Sequence, residues 1–316
     1  MNRLLLASVL MASATHVVAQ DDDFALLDSL EAVDEKPVEV TATFKETKII
    51  SLQTTQTVKA KTMAFNIAHL FGNIGANSGG GVHTLYGLDV VSDVRFAFDY
   101  GITDELTVGV ARSKQNELID ATLKWRFMSQ TIDNKKPLSI AFYGNASINP
   151  TDTSQFYSGI PTGVTLEHQL AHRLSYTSQL VLARKFSKRF SMVLAPTFQY
   201  RNYILEEVNP DNGAKETNGL FAIGAGFRYK FTQRVLFVAD YFYTFSEYRR
   251  NNTANPFYNP LSVGVEIETG GHVFHINFTN ASGIIENNFL PRTKDNWLDG
   301  GYKFGFNISR VFNIGK

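Results

Sequence analysis

The sequence predicts an all-β membrane protein: a transmembrane antiparallel up-and-down β-barrel of about 12 strands, with short periplasmic turns and longer extracellular loops. Three observations predict this fold. Segments of alternating apolar and polar residues recur along the chain, most of them are 9 to 15 residues long, and short connections alternate with long ones. Segments of this length suit tilted membrane strands better than the ~5–6 residues common in soluble sheets.

The first 19 residues predict a secretory signal peptide that is cleaved after Ala19. Arg3 precedes an apolar stretch from Leu4 to about Ala14, and small residues stand before Gln20. This stretch is too short for a membrane helix, which needs ~20 residues. No later segment is long and apolar enough to predict one either. We therefore expect an exported protein.

Residues 20–61 predict an acidic, partly ordered periplasmic arm outside the membrane. Residues 20–40 contain eight acids and one base, and no periodicity continues long enough to indicate a domain. An arm of this kind suggests a periplasmic partner. Within it, Asp28-Ser29-Leu30 matches a short O-glycosylation pattern, which is a weak signal for modification of Ser29.

The barrel is predicted over residues 62–316. Each predicted strand has one apolar face and one polar or small face. The strands are 62–72, 90–101, 105–113, 118–128, 137–148, 170–187, 189–204, 217–231, 234–247, 260–269, 272–281 and 300–314. Connections after even-numbered strands are mostly tight and those after odd-numbered strands mostly long, as in outer-membrane barrels. Phe312, near the end of the last strand, resembles the recognition signal for the barrel-assembly machinery.

Composition excludes several classes of site and partner. The chain has no cysteine, which excludes disulfide scaffolds, thiolate zinc sites and cysteine nucleophiles. Its 30 Lys+Arg balance 30 Asp+Glu, which argues against nucleic acid, because nucleic-acid binding relies on a basic excess. The expected partners are the lipid bilayer of the outer membrane and the barrel-assembly machinery. No cofactor or metal is expected.

The inward faces of the predicted strands carry the candidate residues for lumen lining and selectivity. They are Arg95, Asp99, Lys124, Arg126, Arg201, Arg228, Lys230, Asp240, Glu266, Glu268 and Lys303. Charges inside a barrel either line water or pair across the lumen. In an open lumen the excess of bases would favour anions modestly. If the charges pair, the barrel is plugged and the excess means little, so the sequence leaves both states open.

Several motifs resemble a known family. They include DYGITDELTVGVARS (99–113), LARKFSKRFSMVLAPTFQYRN (182–202) and NPLSVGVEIETGGHVFHINFTN (259–280). From about Lys45 to the C-terminus, the chain resembles a domain-of-unknown-function family of β-barrel outer-membrane proteins from Bacteroidota. The resemblance implies a barrel in the outer membrane of a Gram-negative cell. It implies no catalytic residue and no substrate.

Three functions are compatible with these features. The favoured one is a narrow passive pore for small polar or anionic solutes. The second is a closed structural or docking barrel that binds a partner through its loops or through residues 20–61.

The third function is a barrel-embedded lipid hydrolase that uses His275 with Ser282 nearby. Nucleophilic catalysis needs the base within hydrogen-bond reach of the hydroxyl. Strand residues two apart are about 6.6–7 Å apart, so one strand alone cannot make that contact. We therefore expect no enzyme. His168 and His172 are four residues apart, but we do not expect a metal site there either.

Overall fold

A computed structural model describes residues 37–158, 169–269 and 272–314, and these residues form a closed antiparallel barrel. Neighbouring strands pair in chain order, and β12 pairs with β1 to close the sheet. The strands are β1 (Thr62–Asn73), β2 (Val91–Gly101), β3 (Leu106–Ser113), β4 (Ile119–Met128), β5 (Ser139–Ile148), β6 (Leu174–Lys185), β7 (Phe190–Arg201), β8 (Gly219–Lys230), β9 (Val235–Phe245), β10 (Leu261–Glu268), β11 (His272–Thr279) and β12 (Lys303–Asn313).

The predicted fold class is confirmed, and all twelve predicted segments contain a strand. The largest boundary difference is at β6, because residues 170–173 form a 3-10 turn before the strand begins. The predicted signal peptide, Ser29 and His168 lie outside the described residues.

Alternation along each strand places apolar side chains outside and polar ones inside. On β4, Trp125 is 51% exposed, whereas its neighbour Lys124 is only 4% exposed. Leu123 and Phe127 are also exposed on the outward face. This pattern reverses that of a soluble protein and is typical of a barrel whose outer surface contacts lipid.

The connections define two different ends of the barrel. At the short-turn end, strands are joined by residues 102–105, 129–138, 186–189 and 231–234. At the long-loop end they are joined by residues 74–90, 114–118, 149–173, 202–218, 246–260 and 280–302. Two short helices, α1 (Thr153–Phe156) and α2 (Glu286–Arg292), lie in long loops. Neither helix, among the residues that the structure describes, has the length and apolar character needed to cross a bilayer.

Residues 44–58, called the plug hairpin below, lie inside the barrel. The hairpin turns at its tip, where the Ile49 amide donates to the Leu52 carbonyl at 2.8 Å and the Thr54 amide donates to the Thr47 carbonyl at 2.9 Å. It enters from the short-turn end, where the Val58 amide donates to Thr107 Oγ1 at 2.8 Å. We expected residues 20–61 to lie outside the membrane. Residues 44–58 of this arm instead lie in the lumen, because their apolar side chains pack against an apolar wall there.

A second segment fills the lumen from the long-loop end. The loop after β11 folds inward, and residues 286–291 of α2 are buried. The Phe289 ring packs against Phe242 of β9, with ring centroids 5.2 Å apart. Asn287 anchors the helix to β6, because its side chain bonds Thr177 Oγ1 at 2.8 Å and Ser175 Oγ at 2.9 Å. The lumen is therefore occupied from both ends.

One wall of the lumen is apolar and forms a hydrophobic core with the two inserted segments. On this wall, strands β5 to β9 contribute Ala141, Tyr143, Val181, Ala183, Val193, Ala195, Leu220, Ala222, Val238 and Phe242. The plug hairpin adds Phe44, Ile49 and Leu52, and the β11–β12 loop adds Ala281, Phe289 and Leu290. Burial of a Val, Leu, Ile or Phe side chain stabilises a fold by about 1.5–3 kcal/mol.

Gly224 of β8 makes the close approach of the hairpin possible. A Cβ atom at this position would lie 2.5 Å from Leu52 Cδ1 and 2.7 Å from Phe242 Cε1. The replacement Gly224→Val should therefore destabilise the protein by about 1–3 kcal/mol through overpacking. We expect a lower temperature of thermal unfolding and new tryptic cleavage at Lys48.

Gly144→Val is the matched control. A Cβ atom there would meet only the Phe142 ring, at 3.2 Å. Equal loss of thermal stability in the two variants would show that the hairpin does not depend on the space at Gly224.

Candidate functional site

Asp240 of β9 holds the tip of the plug hairpin. Its Oδ2 atom accepts hydrogen bonds from three consecutive backbone amides: Ile50 at 3.0 Å, Ser51 at 2.8 Å and Leu52 at 3.3 Å. The Ser51 hydroxyl also bonds the Ser262 hydroxyl of β10 at 3.0 Å. Hydrogen bonds to an ionised carboxylate are stronger than those between neutral groups. The sequence predicted that Asp240 faces the lumen, and in the structure its carboxylate anchors the tip of the plug hairpin.

Two of the predicted lumen bases also hold the arm through backbone carbonyls. Lys124 Nζ donates to the Thr47 carbonyl at 2.5 Å. Arg228 donates to the Ala42 carbonyl at 3.2 Å, and its guanidinium also lies 3.4 Å from Glu266 and 3.5 Å from Glu268. These two bases therefore bind the arm and do not face open water.

The sequence analysis missed two inward acids, Asp93 and Asp120. Asp120 forms a two-point ion pair with Arg95, at 2.6 and 2.8 Å. Asp93 accepts from the backbone amides of Gln115, at 2.9 Å, and Ile284, at 3.0 Å. Both could have been found from the strand alternation, because Asp93 shares the phase of Arg95 and Asp120 that of Lys124. Lys185 of β6, in the phase of Val181 and Ala183, is a further inward base. Eight bases then face six acids, and the excess of three among the predicted residues falls to two.

The remaining predicted residues are spread along the lumen and its rims. Arg201 pairs with Glu216 at 2.6 Å, and Lys303 pairs with Asp295, both at the long-loop end. At the short-turn end, Arg126 donates to the Asp104 carbonyl at 3.1 Å. Lys230 forms no ion pair with any residue of the described ranges.

The plug hairpin and α2 meet at Glu286. Gln53 Nε2 donates to Glu286 Oε1 at 3.0 Å, and Lys48 Nζ lies 3.9 Å from Glu286 Oε2. Lys48 also donates to the Ile284 carbonyl at 2.7 Å. Burial lowers the pKa of Lys48, while the charge of Glu286 opposes this shift. The two inserted segments thus form a continuous polar junction inside the lumen.

A cavity of about 110 Å³ remains beside the junction. Its walls include Asp99, Lys124, Tyr143, His275 and Asn277. Since one water occupies roughly 30 Å³ in the liquid, this space is large enough for a few waters and too small for a passage. An open lumen and a plugged lumen were both compatible with the sequence. The described residues show the plugged one.

The structure does not assemble the predicted hydrolase groups. His275 is 1% exposed inside the barrel, and its Nε2 lies 3.6 Å from Glu266. Neither His275 nitrogen nor the Ser282 hydroxyl forms a hydrogen bond with a described residue. The base and hydroxyl are therefore not joined as nucleophilic catalysis requires. Within the described ranges, no group of three or more His, Asp or Glu is placed to hold a metal ion.

Family assignment rests on a match over most of the chain. Residues 44–312 match the model of a family described as Membrane bound beta barrel domain (DUF5777). The chain belongs to this family. The match begins at residue 44, so the plug hairpin is part of the family domain. No curated protein matches the sequence.

Solved barrels show a distant likeness in fold. The NanC porin matches with a TM-score of 0.46 and 7% identity, over 79% of this chain and 98% of that protein. An outer membrane channel from Pseudomonas putida F1 gives a TM-score of 0.44 and 12% identity, over 82% and 98%. The KdgM porin gives 0.43 and 8%, over 79% and 99%. At such low identities the likeness does not extend to function.

Removing the carboxylate at position 240 should loosen the hairpin tip. Asp240→Ala leaves three buried amides without their acceptor, a loss on the order of 3 kcal/mol. Asp240→Asn keeps one acceptor oxygen and should lower the stability by less. Hydrogen exchange at the amides of Ile50, Ser51 and Leu52 measures the effect. Unchanged protection in Asp240→Ala would contradict this role, and Glu247→Gln, which breaks an exposed ion pair, serves as control.

The free energy of unfolding of the protein with the hairpin in place should also depend on pH through Glu46. Burial raises the pKa of Glu46 from 4.5 to about 7; the hydrogen bond from Ser309 opposes this shift, and the Asp99 and Glu268 carboxylates add to it. Because the folded-state pKa is raised, the native state retains a proton that the unfolded state releases. The resulting stability is full below about pH 4.5 and is lost as pH rises through about 7.

Denaturant midpoints measured at about pH 5 and about pH 8 test this dependence. The decrease in midpoint between the two values should be smaller in Glu46→Gln than in the natural protein. The same decrease in both proteins would show that another group is responsible.

Proposed function

We propose that this protein is an outer-membrane barrel that is closed at rest and passes small polar solutes when the plug hairpin withdraws. The observation that carries the proposal is the hairpin itself, a segment that lies in the lumen and continues into β1 at the short-turn end. An outer-membrane location, after cleavage of the signal peptide at Ala19, is part of the proposal. Its support is the membrane-bound barrel family and the even strand number.

The polar contacts of the hairpin make its withdrawal feasible. Asp240 and Lys124 hold the hairpin, and Arg228 holds the residues just before it, through hydrogen bonds to the backbone. Water can replace bonds of this kind, so each contributes only about 0.5–1.5 kcal/mol net, or about 1.5–3 kcal/mol where a charge takes part. The cavity beside the junction also leaves the hairpin incompletely packed. Withdrawal would widen this cavity into a passage.

Selectivity in the open state would come from the charged side chains that line the lumen. Hairpin withdrawal would remove the Thr47 partner of Lys124 and the Ala42 partner of Arg228. Arg95 would stay neutralised by Asp120. With eight inward bases against six inward acids on the strands, we propose a weak preference for anions over cations, less than the predicted lumen residues alone suggested.

A second candidate is a permanently closed barrel that serves as a docking anchor. The apolar core favours it, because withdrawal of the hairpin would expose Phe44, Ile49 and Leu52. Each of these side chains contributes about 1.5–3 kcal/mol when buried. In this case the acidic residues 20–40 would bind a periplasmic partner, and the barrel would hold them at the membrane.

Planar-bilayer conductance distinguishes the two candidates. We expect the purified full chain to be silent, because its lumen is filled. The double variant Ile49→Ser/Leu52→Ser weakens the apolar seat of the hairpin and should show discrete conductance steps with a mild anion preference in a salt gradient. Leu298→Ser, at a side chain that is 92% exposed, is the control and should remain silent.

Proteolysis shows whether the hairpin of the double variant has left the lumen. If trypsin cuts the double variant at Lys48 while the barrel stays folded, its hairpin has been released. Silence of such a released variant would overturn the gated channel and favour the docking barrel. Conductance of the unaltered chain would show that the hairpin does not close the lumen.

A further inference from the structure

A cleft opens at the long-loop end, directly above the inserted helix. This mouth cleft, of about 400 Å³, is bounded by Arg201, Tyr203, Asn255, Phe257, Arg292 and Lys294 together with neighbouring loop residues. Arg292 is the last residue of α2, so the cleft lies against the helix that fills the lumen. Its volume lies within the range of about 300–1,000 Å³ found for small-molecule sites.

The acids of the mouth cleft already have partners. Glu216 Oε1 accepts from Arg201 and from Arg249, each at 2.6 Å. The Glu207 carboxylate accepts from the Tyr248 hydroxyl and, at 3.2 Å, from the Asn255 amide. These contacts leave the two carboxylates little capacity to neutralise further bases.

Two bases of the cleft have no such partner. Arg292 and Lys294 are exposed, and neither forms an ion pair with a residue that the structure describes. Lys294 Nζ lies 5.6 Å from the centroid of the Phe257 ring. The bases at the cleft and bound to its acids are thus Arg201, Arg249, Arg292 and Lys294, against the acids Glu207 and Glu216. The excess of bases leaves a positive potential in the cleft.

The other lining groups are suited to a polar solute with hydroxyl groups. Asn116, Asn149, Gln155 and Asn255 offer amide donors and acceptors, and Tyr203 and Phe257 offer aromatic surface. Arg binds carboxylate and phosphate groups through paired N–H donors, whereas amides bind neutral hydroxyls. A neutral solute would leave Arg292 and Lys294 without a counter-charge.

We propose that the mouth cleft is a binding site for a small hydroxyl-bearing solute with a carboxylate or phosphate group, whose charge is held by Arg292 and Lys294. Arg201 is held by Glu216 and shapes the wall of the site. The solute would rest on α2 at the long-loop end. The site does not depend on hairpin withdrawal, so it stands whether the barrel conducts or only docks.

Isothermal titration calorimetry on the refolded full chain in detergent tests the site. The probes are glucuronate, glucose 6-phosphate and neutral glucose, and the first two separate a carboxylate ligand from a phosphate ligand. We expect at least one of the two acids to bind and glucose to bind at least tenfold more weakly. Added salt should reduce the affinity for the acid. Arg292→Gln should weaken acid binding about tenfold or more, since charged hydrogen bonds contribute about 1.5–3 kcal/mol.

Arg250→Gln is the matched control. Arg250 lies at the same end, pairs with the exposed Glu247 at 3.1 Å and does not line the cleft. It should leave the affinity unchanged, while Arg292→Gln/Lys294→Gln should abolish binding in a barrel with unchanged heat-modifiable gel mobility. Absence of binding by both acids, equal binding of glucose, or equal weakening by Arg250→Gln would each overturn the proposal. Bilayer conductance takes no part in this test, so its outcome is separate from that of the gating experiment.

Discussion

Closure of the sheet is the constraint on which the rest of the structure depends. In the hydrocarbon of a bilayer, an unpaired backbone group costs several kcal/mol, so no strand can present a free edge. The chain meets this requirement by pairing β1 with β12, from Thr62 opposite Asn313 to Leu70 opposite Gly305. A ring of twelve strands encloses more space than small-barrel side chains fill. The protein supplies the additional material from both sides of the ring: the arm before β1 and the loop before β12.

The plug hairpin is held by two different kinds of interaction. Ile49 and Leu52 pack on the small and apolar side chains of β6 to β9, where Gly224 and Gly226 leave room for them. The backbone amides of the same turn point at the carboxylate of Asp240. The apolar contacts set how strongly the hairpin is held, whereas the directional hydrogen bonds set where its tip lies. Together they specify one position of the hairpin in an interior that is otherwise tolerant of polar groups.

The strands were predictable and the filling of the lumen was not. Period-two alternation with an apolar outer belt is a local property, so β4, with Lys124 between Leu123 and Trp125, can be identified from ten residues of sequence. The contacts of the hairpin join distant parts of the chain, as Lys48 and Glu286 do across 238 positions, and no local pattern encodes such a meeting. One signal was available. Inward positions such as Val181 and Ala183 are apolar, although a water-filled lumen would place polar groups there.

The junction at Glu286 has a consequence for communication between the two sides of the membrane. The hairpin reaches it from one side and α2 from the other, and they share this one carboxylate near the middle of the lumen. A shift of either segment changes the charge environment that the other meets. If α2 moves toward the long-loop end, Lys48 loses its counter-charge and the carbonyl of Ile284 at once. Binding of a molecule on one side of the membrane would therefore change the exposure of the arm on the other side. No molecule would need to cross the membrane for this to happen.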